Sequence, residues 1–485
     1  MSEVVLGIDV GTQGARVLAV TPEGQVAGTA QAAFPAVEQS LPSGWFEQDP
    51  RSWWSAVVGC LRQVMGELPP GTQVAGISVD STSGTVLPVD SVGEPLSPAL
   101  MDTDQRSEGL AGRVRAAAKA HQERFGFVFG SSYALPKILW IKEERPDLYT
   151  QTRRFLHAAD FIAGRLTGSY EFSDTSNALK TGYDLLDLAW PDFIERDLGL
   201  PLGRLPQVVL PGAQVGRVWR GAAEEIGLIK GTPVLAGATD GVAAQLASGA
   251  AAPGDWNSTL GTTLVLKGVS RELKPDPLGR VYSHRHPQGW WMPGGASNTG
   301  SDWIQHDFPG AVLDDLNRRA AAIVPSGIVR YPLLKRGERF PFVHPEARGF
   351  VLGESMDPLV NYAAGLEGVA LLERLAYEML AAIGLEVGER IYITGGGTRS
   401  LLWSQIRASV LGKVLVQPQV AETAFGAAVI AASGCWYTGV SQAAGAMVKV
   451  ARIIEPDPQW SRTYAEQYAR FTAELTHRGY LEVDR

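Results

Sequence analysis

The sequence predicts an α/β protein of two domains. Short apolar β-rich runs alternate with helix-period segments, which is the pattern of α/β layers. A strand, a Gly-Thr turn and a second strand recur once in each half. At 485 residues the chain is also longer than a single hydrophobic core usually serves.

In chain order, residues 4–8 and 15–20 read as two strands joined by a Gly-rich turn, and 74–79 and 86–89 as a second pair around a polar turn. The later hairpin is Asn257-Ser258-Thr259-Leu260-Gly261-Thr262-Thr263-Leu264-Val265-Leu266, and it echoes Leu6-Gly7-Ile8-Asp9-Val10-Gly11-Thr12. Two such hairpins suggest related domains facing a shared cleft, divided near residue 245 into 1–245 and 246–485. Leu372, Leu375, Ala376, Met379 and Ile383 fall on one helical face, and Tyr464, Tyr468, Phe471 and Leu475 repeat that spacing.

Composition excludes several classes. Hydrophobic residues at 45% and charged residues at 19% argue against broad disorder. The net charge is −8, with 43 basic and 51 acidic residues, and no basic footprint for nucleic acid appears. An anionic ligand must therefore be held locally, by backbone amides, a metal or a few cations. Cys60 and Cys435 cannot build a disulfide framework and read as reduced thiols. The best membrane candidate, 234–251, contains Asp240 and Gln245. With no signal peptide expected either, a cytoplasmic protein without membrane partners is predicted.

Four segments can carry chemistry. In Asp9-Val10-Gly11-Thr12-Gln13-Gly14, glycine lets backbone N–H groups approach a phosphate, and Asp9 can hold Mg²⁺. A plain hairpin, with Asp9 satisfying turn amides, explains it equally. In Val234-Leu235-Ala236-Gly237-Ala238-Thr239-Asp240-Gly241 an apolar strand delivers one carboxylate. It can act as general base on a hydroxyl or cap the following helix. Thr394-Gly395-Gly396-Gly397-Thr398-Arg399-Ser400 follows a strand and leaves bare backbone for a nucleotide. Ser81-Thr82-Ser83-Gly84-Thr85, with Asp102, Asp104 and Arg106, can line a sugar site or be a routine loop. Trp45 can stack on a ligand or simply pack. His284 and His286 lack neighbouring ligands for zinc. No Gly-x-Ser-x-Gly elbow, dinucleotide fingerprint or Walker loop is present.

Taken in order, Asp-x-Gly-Thr, the hydroxyl turn, Asp-Gln-Arg, Ala-Thr-Asp-Gly, Leu-Gly-Thr-Thr and Gly-Gly-Gly-x-x-Ser resemble the FGGY family of carbohydrate kinases. The resemblance runs from Val4 to about Gly439. It takes in Gly44-Trp45-Phe46-Glu47-Gln48-Asp49-Pro50, Ser176-Asn177-Ala178-Leu179-Lys180-Thr181-Gly182-Tyr183 and Glu422-Thr423-Ala424-Phe425-Gly426-Ala427-Ala428. It implies two RNase H-like domains of the actin, hexokinase and heat-shock ATPase type that close over a central cleft.

The resemblance also assigns roles. Asp240 becomes the catalytic base, and Asp9, Asp240, Gly11, Thr12 and Gln13 serve phosphate and Mg²⁺. Gly261, Thr262 and Thr263 would contact the phosphates of ATP, and Gly396, Gly397 and Ser400 its adenosine part. Ser83, Asp104, Arg106, Trp45 and Asp240 would face the sugar. The Ser81–Leu87 turn, Val281-Tyr282-Ser283-His284, Gly294-Gly295-Ala296-Ser297-Asn298 and Tyr331-Pro332-Leu333 with Arg336-Gly337-Glu338-Arg339-Phe340-Pro341 are similar to the cyanobacterial and plant ribulokinase-like group. That similarity implies D-ribulose as substrate, with D-xylulose or another polyol as the alternative. Gln13 replaces the usual Ser or Thr, Thr398 the usual Ala, and Asp104-Gln105-Arg106 lacks the usual preceding Trp-Asn. A sugar-independent conformational ATPase on the same fold is the rival of another class. A homodimer stays open.

Overall fold

The computed structural model describes residues 3–35 and 41–481. They fall into two compact units. The first consists of Met1–Ala251, His284–Trp290 and Val420–Lys449, and the second of Ala252–Ser283, Trp291–Gln419 and Val450–Arg485.

In the first unit a six-stranded sheet runs in the order 214–217, 233–239, 73–81, 3–10, 14–20, 26–33. Gln73–Ser81 is parallel to both Glu3–Val10 and Pro233–Thr239, while Gly14–Val20 turns back antiparallel to Glu3–Val10. The two predicted strands of the opening hairpin therefore form. The second predicted pair does not: Leu87–Val89 joins Arg154–Leu156 in a small separate sheet instead of returning along Gln73–Ser81.

The second unit repeats this plan. Trp256–Leu260 pairs antiparallel with Leu264–Gly268 and parallel with Arg390–Thr394, which is in turn parallel to Val414–Pro418. Each sheet thus has an antiparallel hairpin joined to two parallel strands, so the weak sequence echo between the halves reflects shared topology.

Burial of apolar residues holds each unit. Leu6, Ile8, Val17, Trp53, Val57, Ile77, Phe161 and Val234 belong to the first core. Trp256, Leu266, Trp303, Leu366, Ile391, Ile406 and Phe471 belong to the second. Three major helices start the same way: Asp49, Asp357 and Asp457 each cap a helix whose first residue is proline. The carboxylate satisfies free N–H groups, and proline has none to lose. Both predicted helical stripes lie inside the last two of these helices or at their end.

The division differs from one cut near 245. Asp240–Ser248 continues as a helix within the first unit, with Gln245 Nε2 donating to the Ala250 carbonyl. Residues 420–449 then return to the first unit, because helix Thr423–Cys435 packs on Glu3–Val10, Gln73–Ser81 and Asp240–Ser248. That packing requires glycine. A Cβ on Gly7 would sit 1.9 Å from the Ala424 carbonyl oxygen, and one on Gly426 would sit 1.9 Å from that of Ala243. Among the described residues, no helix is long and apolar enough to cross a membrane.

Candidate active site

Three strands of the first unit deliver three carboxylates to one end of the sheet. The parallel register sets Asp9 beside Asp80, and Thr239 beside Ser81, with Asp240 following immediately. The carboxyl ends of parallel strands are where open α/β sheets bind ligands. Sequence reading found Asp9 and Asp240 but missed Asp80.

Asp80 is fully buried, and neither oxygen meets an amide or hydroxyl donor. Desolvation, and then the charges of Asp9 and Asp240, push Asp80 well above the usual carboxylate range. Asp9 is also raised by burial, though Thr423, the neighbouring Asp80 and the charge of Arg16 pull it back.

Asp240 is half-exposed and opens helix Asp240–Ser248, where a negative charge is favourable. It is the first helical residue, and Thr239 occupies the capping position. Its Oδ1 accepts from Gly241 N at 2.6 Å. Behind it, Thr239 N donates to Ser176 Oγ at 2.8 Å, and Ser176 Oγ donates to Asp174 Oδ1. Asp174 in turn caps the short helix Thr175–Ala178. The Ser176-Asn177 motif thus braces the strand end that presents Asp240.

The turn after Asp9 is closed by Gly11 N donating to the Gly14 carbonyl, with Thr12 and Gln13 exposed. A Cβ placed on Gly11 would lie 3.6 Å from the Gly14 carbonyl oxygen and 3.9 Å from Asp9 Oδ1, with no other atom of the described residues within 4 Å apart from its chain neighbours. A ligand can therefore approach that backbone.

Near the hydroxyl turn, Lys137 is fully buried and donates to the carbonyls of Gly84 (2.9 Å) and Asp102 (3.3 Å). Burial, aided by Lys180, pushes its ammonium down to about 7. Lys180 is lowered by desolvation too, against the opposing charges of Asp240 and Asp102. It therefore lies in the field of the candidate base. Ser83 is half-exposed in this neighbourhood. Lys137 escaped sequence reading and Lys180 entered it only within the Ser176–Tyr183 stretch, without a role, since isolated Lys residues in helical segments look like solvated charges.

Asp104 and Arg106 differ from the sugar-facing expectation. Asp104 is fully buried and accepts from Phe46 N at 2.7 Å and from Arg106 N, Nε and Nη2. Arg106 also pairs with Glu47 at 2.7 Å and lies over the Trp45 ring at 3.8 Å. The pair has turned inward to tie residues 45–47 to its own loop, because a buried carboxylate must be met by donors. Trp45, edge-on to Trp140, has one face covered by Arg106.

In the second unit the Gly261 turn is closed by Gly261 N donating to the Thr263 carbonyl, with Thr262 exposed. A Cβ on Gly261 would have 4.0 Å of room. Gly396 has nothing within 4 Å, whereas Cβ atoms on Gly395 and Gly397 would strike Leu260. Gly395 also takes φ +86°, a conformation glycine favours. Two of the three glycines thus serve packing, and Gly396 leaves open backbone. Ser400 caps helix Leu401–Leu411 by accepting from Trp403 N.

Among the described residues no group of three or more His, Cys, Asp or Glu could hold a metal ion alone. Mg²⁺ in phosphoryl-transfer sites typically uses one or two carboxylates, with substrate phosphate and water completing the shell. Asp9 and Asp240, both half-exposed, fit that mode.

Residues 4–247 match the N-terminal domain, and 256–435 the C-terminal domain, of the FGGY family of carbohydrate kinases. The chain is 32% identical over 443 residues to the xylulose kinase of Streptomyces rubiginosus, covering 88% of this chain and 87% of that one. It is 27% identical over 463 residues to the gluconokinase of Bacillus subtilis, covering 90% and 88%. Among solved structures, the xylulose kinase from Rhodospirillum rubrum aligns with a TM-score of 0.88 at 27% identity, over 98% of both chains.

Proposed function

The chain belongs to the FGGY family of carbohydrate kinases, and from that premise we propose that it phosphorylates a primary hydroxyl of a ketopentose with ATP. D-ribulose is the first candidate, on the ribulokinase-like spelling of the Ser81–Leu87 turn and the Gly337-Glu338-Arg339 segment. D-xylulose is the second, supported by the xylulose kinase relatives. In this reading the first unit takes the sugar and carries the phosphate loop, and the second unit binds the nucleotide.

One observation carries the proposal: a half-exposed carboxylate, Asp240, stands at the strand ends beside buried Asp80 and half-exposed Asp9. Asp240 takes the proton of the acceptor hydroxyl as its oxygen bonds to the γ-phosphorus, and the bond to the ADP oxygen breaks. Lys180, of opposite charge, lies in the field of Asp240. Ser83 stands near the acceptor. Gly11, Thr12 and Gln13, with Gly261, Thr262 and Thr263, present backbone and hydroxyl donors to phosphate. Gly396, Gly397 and Ser400 border the adenosine.

Mg²⁺, held by Asp9 and Asp240, would supply positive charge to the phosphate oxygens when bound. A cytoplasmic location agrees with the two free thiols, Cys60 and Cys435. The test is a coupled ADP-release screen over ribulose, xylulose, ribitol, glycerol, gluconate and related polyols. Saturable release with a pentulose is expected, and ADP release at full rate without any sugar would overturn the reading.

A further inference from the structure

One motif is not absorbed by the proposed chemistry: Gly337-Glu338-Arg339. Glu338 is buried at 3% exposure in the second unit, yet it is not idle. Its Oε1 accepts from the backbone N of Asn298 (2.7 Å) and of Arg339 (2.9 Å). Its Oε2 accepts from Ser297 Oγ (2.9 Å), Thr299 Oγ1 (3.0 Å) and Tyr331 OH (2.8 Å). Five donors converge on one carboxylate, which is how a buried charge becomes tolerable. The acid itself is fixed by a hairpin in which Glu338 and His344 exchange backbone hydrogen bonds, and Asn298 Nδ2 donates to the Gly337 carbonyl.

Three of those five donors lie on the single loop 297–299, and that loop backs the Gly261–Thr263 turn. Leu264 N donates to the Thr299 carbonyl, and Ser297 N to the Leu264 carbonyl. Ser301 holds the Gly261 carbonyl twice, through its backbone N at 2.9 Å and its Oγ at 2.7 Å. Gly300 lies so close that a Cβ there would stand 2.4 Å from the Thr262 carbonyl oxygen. The exposed turn is thus backed, from the side of residues 297–301, by a loop that Glu338 gathers.

We propose that Glu338 is a positioning residue for nucleotide binding: through Ser297, Asn298 and Thr299 it holds the Gly261–Thr263 turn in the shape that receives the ATP phosphates. This rests on the reading of that turn as a phosphate contact. Charge and geometry both matter, since each oxygen meets only donors. Glutamine at 338 would turn an amide N–H₂ toward groups that already donate.

The test is direct titration of the full chain with ATP and Mg²⁺, by calorimetry, for wild type, Glu338→Gln and Thr299→Val. KM for ATP and KM for the sugar are measured alongside. Glu338→Gln is expected to weaken ATP binding and raise KM for ATP about tenfold, the size of one charge-assisted hydrogen bond, with KM for the sugar within about twofold. Thr299→Val removes one hydroxyl donor only, and roughly threefold in the same direction is expected. It decides the matter if Glu338→Gln does not fold. A merely structural role would lower the melting temperature and leave ATP affinity of the folded variants unchanged, which overturns the proposal. Wild type that binds no nucleotide would overturn the phosphate reading of the turn, and this inference with it.

Discussion

Replacing Ser176 with alanine tests whether the brace behind Asp240 controls the reaction. Ser176, Thr239 and Asp174 are at most 2% exposed, so these groups are shielded from bulk water. Asp174 keeps three donors without the hydroxyl: Ser176 N at 2.7 Å, Asn177 N at 3.0 Å and Asn177 Nδ2 at 2.6 Å. Thr239 N loses its partner and is left buried and unpaired. An orphaned buried donor costs about 1–3 kcal/mol, so a stability loss of about 2 kcal/mol is expected in urea unfolding. Asp240 is the next residue, and misplacing a catalytic group by about 1 Å can cost ~10²-fold. Partial slack should lower kcat about tenfold, while KM for ATP stays near wild type. Steady-state kinetics with the best sugar from the panel reads this. Unchanged kcat, alongside the expected loss of stability, would refute the coupling of this strand end to the chemistry.

Gly396→Ala adds a methyl where no protein atom lies within 4 Å. Melting should hardly change, while KM for ATP rises about tenfold or more if nucleotide lies there; an unchanged KM removes Gly396 from the site. Gly7→Ala drives a Cβ to 1.9 Å from the Ala424 carbonyl oxygen, and backbone cannot swing aside. About 3 kcal/mol, and a fall of roughly 6–12 °C in the transition of the first unit by calorimetry, are expected. His121 is buried among Phe125, Phe127 and Phe193, with Asp184 3.7 Å away. Desolvation, only partly offset by Asp184, lowers it from 6.5 to about 4. Between those values the unfolded chain takes up a proton that the folded chain refuses. Stability is therefore lost as pH falls from 6.5 toward 4, by about 3 kcal/mol. His121→Phe should flatten that slope relative to wild type in pH-dependent unfolding.

Residues whose role is local were legible in the sequence. Asp9 and Asp240 end apolar strands and both Gly-Thr turns sit between strands, which chain-neighbour pattern shows, while the roles expected of them came from the family resemblance. Asp80 was not legible. It also ends a strand, but it runs into Ser81-Thr82-Ser83 and reads as the start of a polar turn. Only the parallel register that sets it beside Asp9 reveals a carboxylate pair. Asp104 and Arg106 show the converse: the family resemblance implied sugar contacts, while the fold turns them on Phe46, Glu47 and each other. The return of 420–449 to the first unit was hidden as well, because small residues such as Gly426 and Ala424 disclose a helix but not the sheet they touch. Glu338 lay in a motif visible by its spelling, yet its five donors come from residues up to 41 positions away.

The central claim is that Asp240 takes the proton from the sugar hydroxyl. Single-turnover phosphoryl transfer by Asp240→Asn, with folding and the binding of ATP and sugar verified, measures it most directly. Binding close to wild type and a transfer step slowed roughly 10²–10⁴-fold, the typical contribution of a general base, are expected. Transfer at near wild-type rate in that variant would contradict it.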